Sequence, residues 1–163
     1  MIIFKIYIDN AKTKTQGELW YIKDEYSIFF KEKYHCDSEL AISLLIGTLE
    51  LLVSDHDKRI AFAAGFLPHT AWNEKSLPLF SFVEGAMYID DNFDPKDHKG
   101  ICYKISDDWP IYYDNASGYV FVGKDYSKCL KCIEFCTGCY VSISNGYING
   151  LWLKPKIIET FSN

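Results

Sequence analysis

From residue 101 onward the chain repeats strand, turn, strand, with apolar runs at 101–105, 119–123, 130–136, 139–144 and 147–153. The breaks between them are Asp107-Asp108, residues 115–118, Thr137-Gly138 and Asn145-Gly146. An Asn-Gly pair accepts the positive φ angles of a two-residue hairpin at little cost, so the last of these is the strongest short hairpin signal in the chain. Short runs joined by tight turns cannot make parallel crossovers, and they predict an antiparallel meander.

The first hundred residues carry a mixed pattern. Residues 1–9, dense in isoleucine and aromatics, predict a strand, and 10–17 its loop. Tyr26, Phe29, Phe30 and Lys33 recur at helical spacing, which predicts a short helix over 25–33. A second helix is expected over 39–46, with Asp37 or Ser38 as its cap, Leu40, Leu44 and Leu45 on one side, and Gly47 ending it. Residues 48–53 and 59–66 flank the polar cluster 54–58 and predict a hairpin. Pro68 and Pro78 mark a loop, 85–90 another strand, and 91–100 a very polar loop.

A length of 163 residues suits one core, so a single domain over 1–163 is expected, and no fixed-period repeat or linker interrupts it. The fold class predicted is α+β: a meander-rich antiparallel sheet of six or more strands with one or two helices packed on one face.

Net charge is −5 and Arg59 is the sole arginine, which argues against a broad phosphate-binding face and hence against direct nucleic-acid binding. The opening segment is too short and too charged for a secretory signal, and no run approaches the roughly 20 apolar residues of a membrane helix. A cytoplasmic location without membrane contact is therefore expected, with six cysteines held as thiols.

Cys129, Cys132, Cys136 and Cys139 form C-x2-C-x3-C-x2-C. Four thiolates can close a tetrahedral zinc site, but zinc knuckles are usually separated by a dozen or more residues, so that each approaches the metal from its own loop. The gap here is three, and small buried hydrophobes are the expected role of these cysteines. Asp90-x-Asn92-x-Asp94 begins like a calcium loop, yet Pro95 stands where glycine is needed and Ile101 where the bidentate glutamate is needed. His35, His56, His69 and His98 lie in four separate segments, and no nucleophile elbow, phosphate loop or zinc-protease motif is present. No catalytic residue and no cofactor is therefore assigned. The competing reading is a small hydrolytic or metal-dependent enzyme that uses the histidines or the cysteine group.

What remains is a concentration of acids and aromatics in two predicted loops. The first holds Asp91, Asp94 and Asp97; the second holds Asp107, Asp108, Trp109 and Tyr112. Interface cores favour Tyr and Trp, and carboxylates steer a basic partner toward its docking site.

In general character the chain resembles the immunity proteins of bacterial contact-dependent inhibition and other polymorphic toxin systems. It is small, acidic and rich in tyrosine and tryptophan, with a meander that ends in residues 145–155, from Asn145-Gly146 to Lys154-Pro155. The resemblance implies a cytosolic protein that binds a cognate toxin domain, often a basic nuclease, and covers its active site or substrate surface.

Overall fold

The computed structural model describes residues 5–34, 39–90 and 92–159. Sixteen strands run through them: β1 (Ile6–Asp9), β2 (Gly17–Ile22), β3 (Ser27–Glu32), β4 (Leu40–Ile46), β5 (Leu49–Ser54), β6 (Ile60–Phe66), β7 (Asn73–Glu74) and β8 (Ser81–Glu84). There follow β9 (Ala86–Ile89), β10 (Cys102–Ser106), β11 (Ile111–Tyr113), β12 (Val120–Gly123), β13 (Lys131–Cys136), β14 (Cys139–Ser144), β15 (Tyr147–Leu153) and β16 (Lys156–Ile158).

The α+β expectation is overturned, because the described residues contain no α-helix, only short 3-10 turns. Both predicted helices are strands. Leu40 and Leu44 are four residues apart, a spacing shared by one face of a helix and one face of a strand. Ile42 and Ile46 complete a period-two set, and Ile42, Leu44 and Ile46 are buried while Ser43 and Leu45 are half-exposed. Residues 25–33 fail in the same way: Ile28 and Phe30 face the core from β3 and Phe29 does not. Gly47 ends its element as expected, but as the left-handed residue of the β4–β5 turn, at φ +58. The proposed caps Asp37 and Ser38 lie outside the described residues. The predicted hairpin over 48–66 forms as β5 and β6.

Two seven-stranded sheets make up most of the molecule, in the orders β10-β4-β5-β6-β3-β2-β16 and β7-β11-β12-β15-β14-β13-β8. In each, the five central strands are antiparallel and both outermost strands are parallel additions. The centres, β2-β3-β6-β5-β4 and β11-β12-β15-β14-β13, have one topology: a three-strand meander whose last strand is flanked by the strand that precedes it, a Greek key, extended by one more. The expected C-terminal meander is thus present over β13–β15, but β12 pairs with β15 rather than β13.

Each half also completes the other's sheet. β7 follows β6 in sequence yet pairs with β11, the first strand of the C-terminal centre. β16 follows β15 yet pairs with β2, the first strand of the N-terminal centre. The turns that join third to fourth strands are matched as well: Gly47 N–H donates to Ser106 O at 3.3 Å, and Thr137 N–H donates to Thr15 O at 3.0 Å. Sequence inspection finds no repeat because only the winding is duplicated, not the residues.

The sheets pack face to face over one core, with Leu44 and Leu51 on one side and Val122, Val141 and Leu153 on the other. The short β1–β9 ribbon forms a third sheet, and all four residues of β9 are buried. The C-terminal sheet carries a second apolar layer on its outer face, where Phe121, Tyr140 and Trp152 are roofed by Leu77 and Phe80. Phe80 stacks on Trp152 at 4.5 Å. No helix of the described residues is long and apolar enough to cross a membrane.

Candidate functional site

The two predicted acidic loops are 10 or more residues apart in sequence, and the structure brings them to the two ends of β10. Among the described residues this strand is the outermost of the N-terminal sheet and pairs only with β4. No strand among the described residues lies along its other side, and such a sheet edge is a template for an additional strand. At its leading end Asp94 caps a 3-10 turn, its Oδ1 accepting from Lys96 N–H at 3.0 Å, and Asp97 lies exposed in the same turn. At its trailing end Asp107 and Asp108 are both exposed. The strand between the two loops is five residues long, or roughly 17 Å at the usual rise.

Local chemistry fixes each end. Lys104 in β10 pairs with Asp107 at 2.9 Å. That hydrogen bond is the main reason the Asp107 carboxyl stays below the ordinary carboxylate range. Asp108 lies over the β4–β5 turn so closely that a Cβ on Gly47 would run into its Oδ1. The left-handed φ favours glycine at 47, and a Cβ there would also push the Asp108 carboxylate aside. At the leading end Lys99 bridges Glu39 at 3.2 Å and Asp55 at 3.4 Å. These two acids thereby join the Asp94–Asp97 end, a grouping that sequence reasoning missed because it depends on the non-local β10–β4 pairing. No local signal carries it.

The other predicted site residues separate from this edge. Trp109 is half-buried and packs against the main core. Tyr112 lies on the outer face of the other sheet, edge-on to Tyr126 at 5.7 Å. Asp91 lies outside the described residues.

The cysteines divide between the two sides of the C-terminal sheet. Cys129 and Cys132 belong to the outer aromatic layer, whereas Cys136 and Cys139 belong to the core between the sheets. They do not converge on a point. Burial pushes the Cys132 thiol up to about 12 and the Cys129 and Cys136 thiols also upward, so these sulfurs stay protonated and poorly nucleophilic at neutral pH.

Of the histidines, His35 is outside the described residues and His56 is exposed. His69 Nδ1 lies 3.2 Å from the Tyr21 hydroxyl, and His98 Nδ1 lies 2.9 Å from the Tyr103 hydroxyl. These are three separate places. Among the described residues no group of three or more His, Cys, Asp or Glu is arranged to hold a metal ion.

Comparison with protein-family models, curated proteins and solved structures returns no match.

Proposed function

We propose that this chain is a binding protein that neutralises a cognate toxin domain, acting in the cytoplasm as immunity proteins do. The open edge of β10 is its docking site. A basic extended segment of the partner would add to the N-terminal sheet, with Asp94 and Asp97 engaging one end and Asp107 and Asp108 the other. Main-chain hydrogen bonds along the edge would supply affinity, and the carboxylates would supply steering and register.

One observation carries this reading: two acidic loops distant in sequence border the same outermost strand. Lys104 is compatible with it, because a lysine on an exposed edge discourages self-pairing and here its charge is answered by Asp107.

The test is co-expression with the product of the gene immediately upstream, followed by co-purification. A stable complex is expected, and replacing Asp94, Asp97, Asp107 and Asp108 together by Asn should weaken it while leaving the fold intact. Failure to co-purify, or a complex indifferent to these four substitutions, would count against the proposal.

A further inference from the structure

The duplicated winding makes two grooves comparable. In the C-terminal half a groove of about 820 Å³ opens between the β12–β13 connection and the β14–β15 hairpin, with Trp109 closing one wall. In the N-terminal half a groove of about 300 Å³ opens between the residues that follow β3 and the β5–β6 hairpin, with Thr13–Gln16 closing the corresponding wall. The same elements of the repeated unit build both.

Their cations behave differently. In the N-terminal groove Lys14 is bound to Glu84 and Glu134, and the Arg59 guanidinium donates to the Thr13 carbonyl. Glu32 and Asp57 add two more carboxylates to its lining. In the C-terminal groove three lysines, Lys124, Lys128 and Lys131, face one carboxylate, Asp125. Asp125 is already engaged, its Oδ1 accepting from Ser127 N–H at 3.0 Å and Ser127 O–H at 2.6 Å. Among the described residues no carboxylate is in ion-pair contact with any of the three lysines. A chain of net charge −5 therefore gathers three lysines and one carboxylate in this groove, none of the three in ion-pair contact among the described residues.

We propose that this C-terminal groove binds a small ligand carrying two or more phosphate groups. Three separate ammonium groups suit an oligophosphate better than a single carboxylate, since lysine acts on phosphate as a compact point charge with freely rotating donors. Asn149 and Ser144 supply neutral hydrogen-bonding groups on the opposite wall, and Trp109 offers an aromatic surface beside them. The volume falls within the range usual for small-ligand sites. The groove adjoins the trailing end of β10, where Lys124 acts on the Asp107 carboxyl, but it uses none of the four docking aspartates and does not rest on the toxin-binding proposal.

The test is isothermal titration calorimetry of the full chain with inorganic pyrophosphate and with ATP, with citrate as a multiply charged carboxylate. Saturable binding of pyrophosphate or ATP is expected. Lys128→Ala should weaken it about tenfold, the loss of one charge-assisted contact, and the triple variant Lys124→Ala, Lys128→Ala, Lys131→Ala should abolish it. A charge-matched control, Lys23→Ala, Lys96→Ala, Lys156→Ala, should bind like the parent chain. Stronger binding of ATP than pyrophosphate, lost in Trp109→Leu, would extend the site to a planar ring. No saturable phosphate binding, equal binding of citrate, or an equal loss in the control variant would overturn the proposal.

Discussion

Trp20 and Trp152 occupy the outer faces of the two equivalent sheets, and their surroundings differ completely. Trp20 is half-exposed, with Glu18 accepting from its indole N–H at 3.1 Å and Lys156 lying 5.3 Å over its ring. Trp152 is fully buried, stacked under Phe80, with its indole N–H donating to the Cys129 carbonyl at 2.8 Å. One winding has thus served two purposes. The N-terminal sheet keeps the one-sided burial usual for antiparallel structure, while the C-terminal sheet is covered on both faces. Identical topology fixes which face meets the shared core and leaves the other face free to diverge.

That difference sets the size of the expected effects. Trp152→Ala should cost about 3–5 kcal/mol of stability, the range for a large aromatic removed from a packed site, whereas Trp20→Ala should cost less than about 1 kcal/mol, as at most partly exposed positions. Denaturant unfolding of both variants measures this, and equal losses would erase the distinction between the two outer faces.

The contact between the halves is next in size. Lys14, ahead of β2, reaches the buried Glu134 of β13, whose other oxygen accepts from Gly138 N–H at 3.2 Å. Burial opposes the Lys14 charge, but its bonds to Glu134 and Glu84 outweigh that and raise its pKa. Lys14→Met strands the Glu134 carboxylate and should destabilise by about 3 kcal/mol, the low end for breaking a buried pair because Lys14 keeps some solvent contact. The double variant with Glu134→Gln should recover part of the loss, and a double-mutant cycle measures the coupling.

The smallest effect concerns the roof over Trp152. Asp114 accepts from Leu77 N–H at 3.0 Å and from Ala116 N–H at 2.9 Å, and these backbone bonds, that of Leu77 first, hold its carboxyl below the usual 3.8. A depressed folded-state pKa adds stability above the unfolded value that is lost as pH falls through the folded one. Below about pH 4 the segment carrying Leu77 and Phe80 should therefore loosen. Amide exchange should rise at Leu77 and stay flat in β2 and β3. A uniform rise across both sheets would contradict this assignment.

Five C-terminal strands were legible in the sequence, since turn residues bracket them and Asn145-Gly146 sits at a hairpin turn with both residues at positive φ, but the three-residue β11, which holds Tyr112 of an expected loop, and β16 were not. The two false helices were not: Leu40 and Leu44 satisfy both periods, Tyr26 turns out to be a left-handed turn residue ahead of β3, and pairing partners outside each short run decide in favour of strands. Of the expected docking residues, Asp94 and Asp97 lie ahead of β10 and Asp107 and Asp108 after it, whereas Trp109 and Tyr112 pack elsewhere. A loop's composition is local, whereas the sheet its end belongs to is set by parallel pairings such as β10 with β4. The lysines at 124, 128 and 131 went unnoticed beside the cysteines that share their segment.

The equivalence of the two halves depends on the exchanged outer strands. Nuclear Overhauser contacts across them test this most directly. Backbone contacts of Trp20 with Lys156 and of Asn73 with Tyr112 are expected, because β16 lies beside β2 and β7 beside β11. Contacts that placed β16 within the C-terminal sheet, or β7 within the N-terminal one, would contradict the exchange and with it the equivalence of the two grooves.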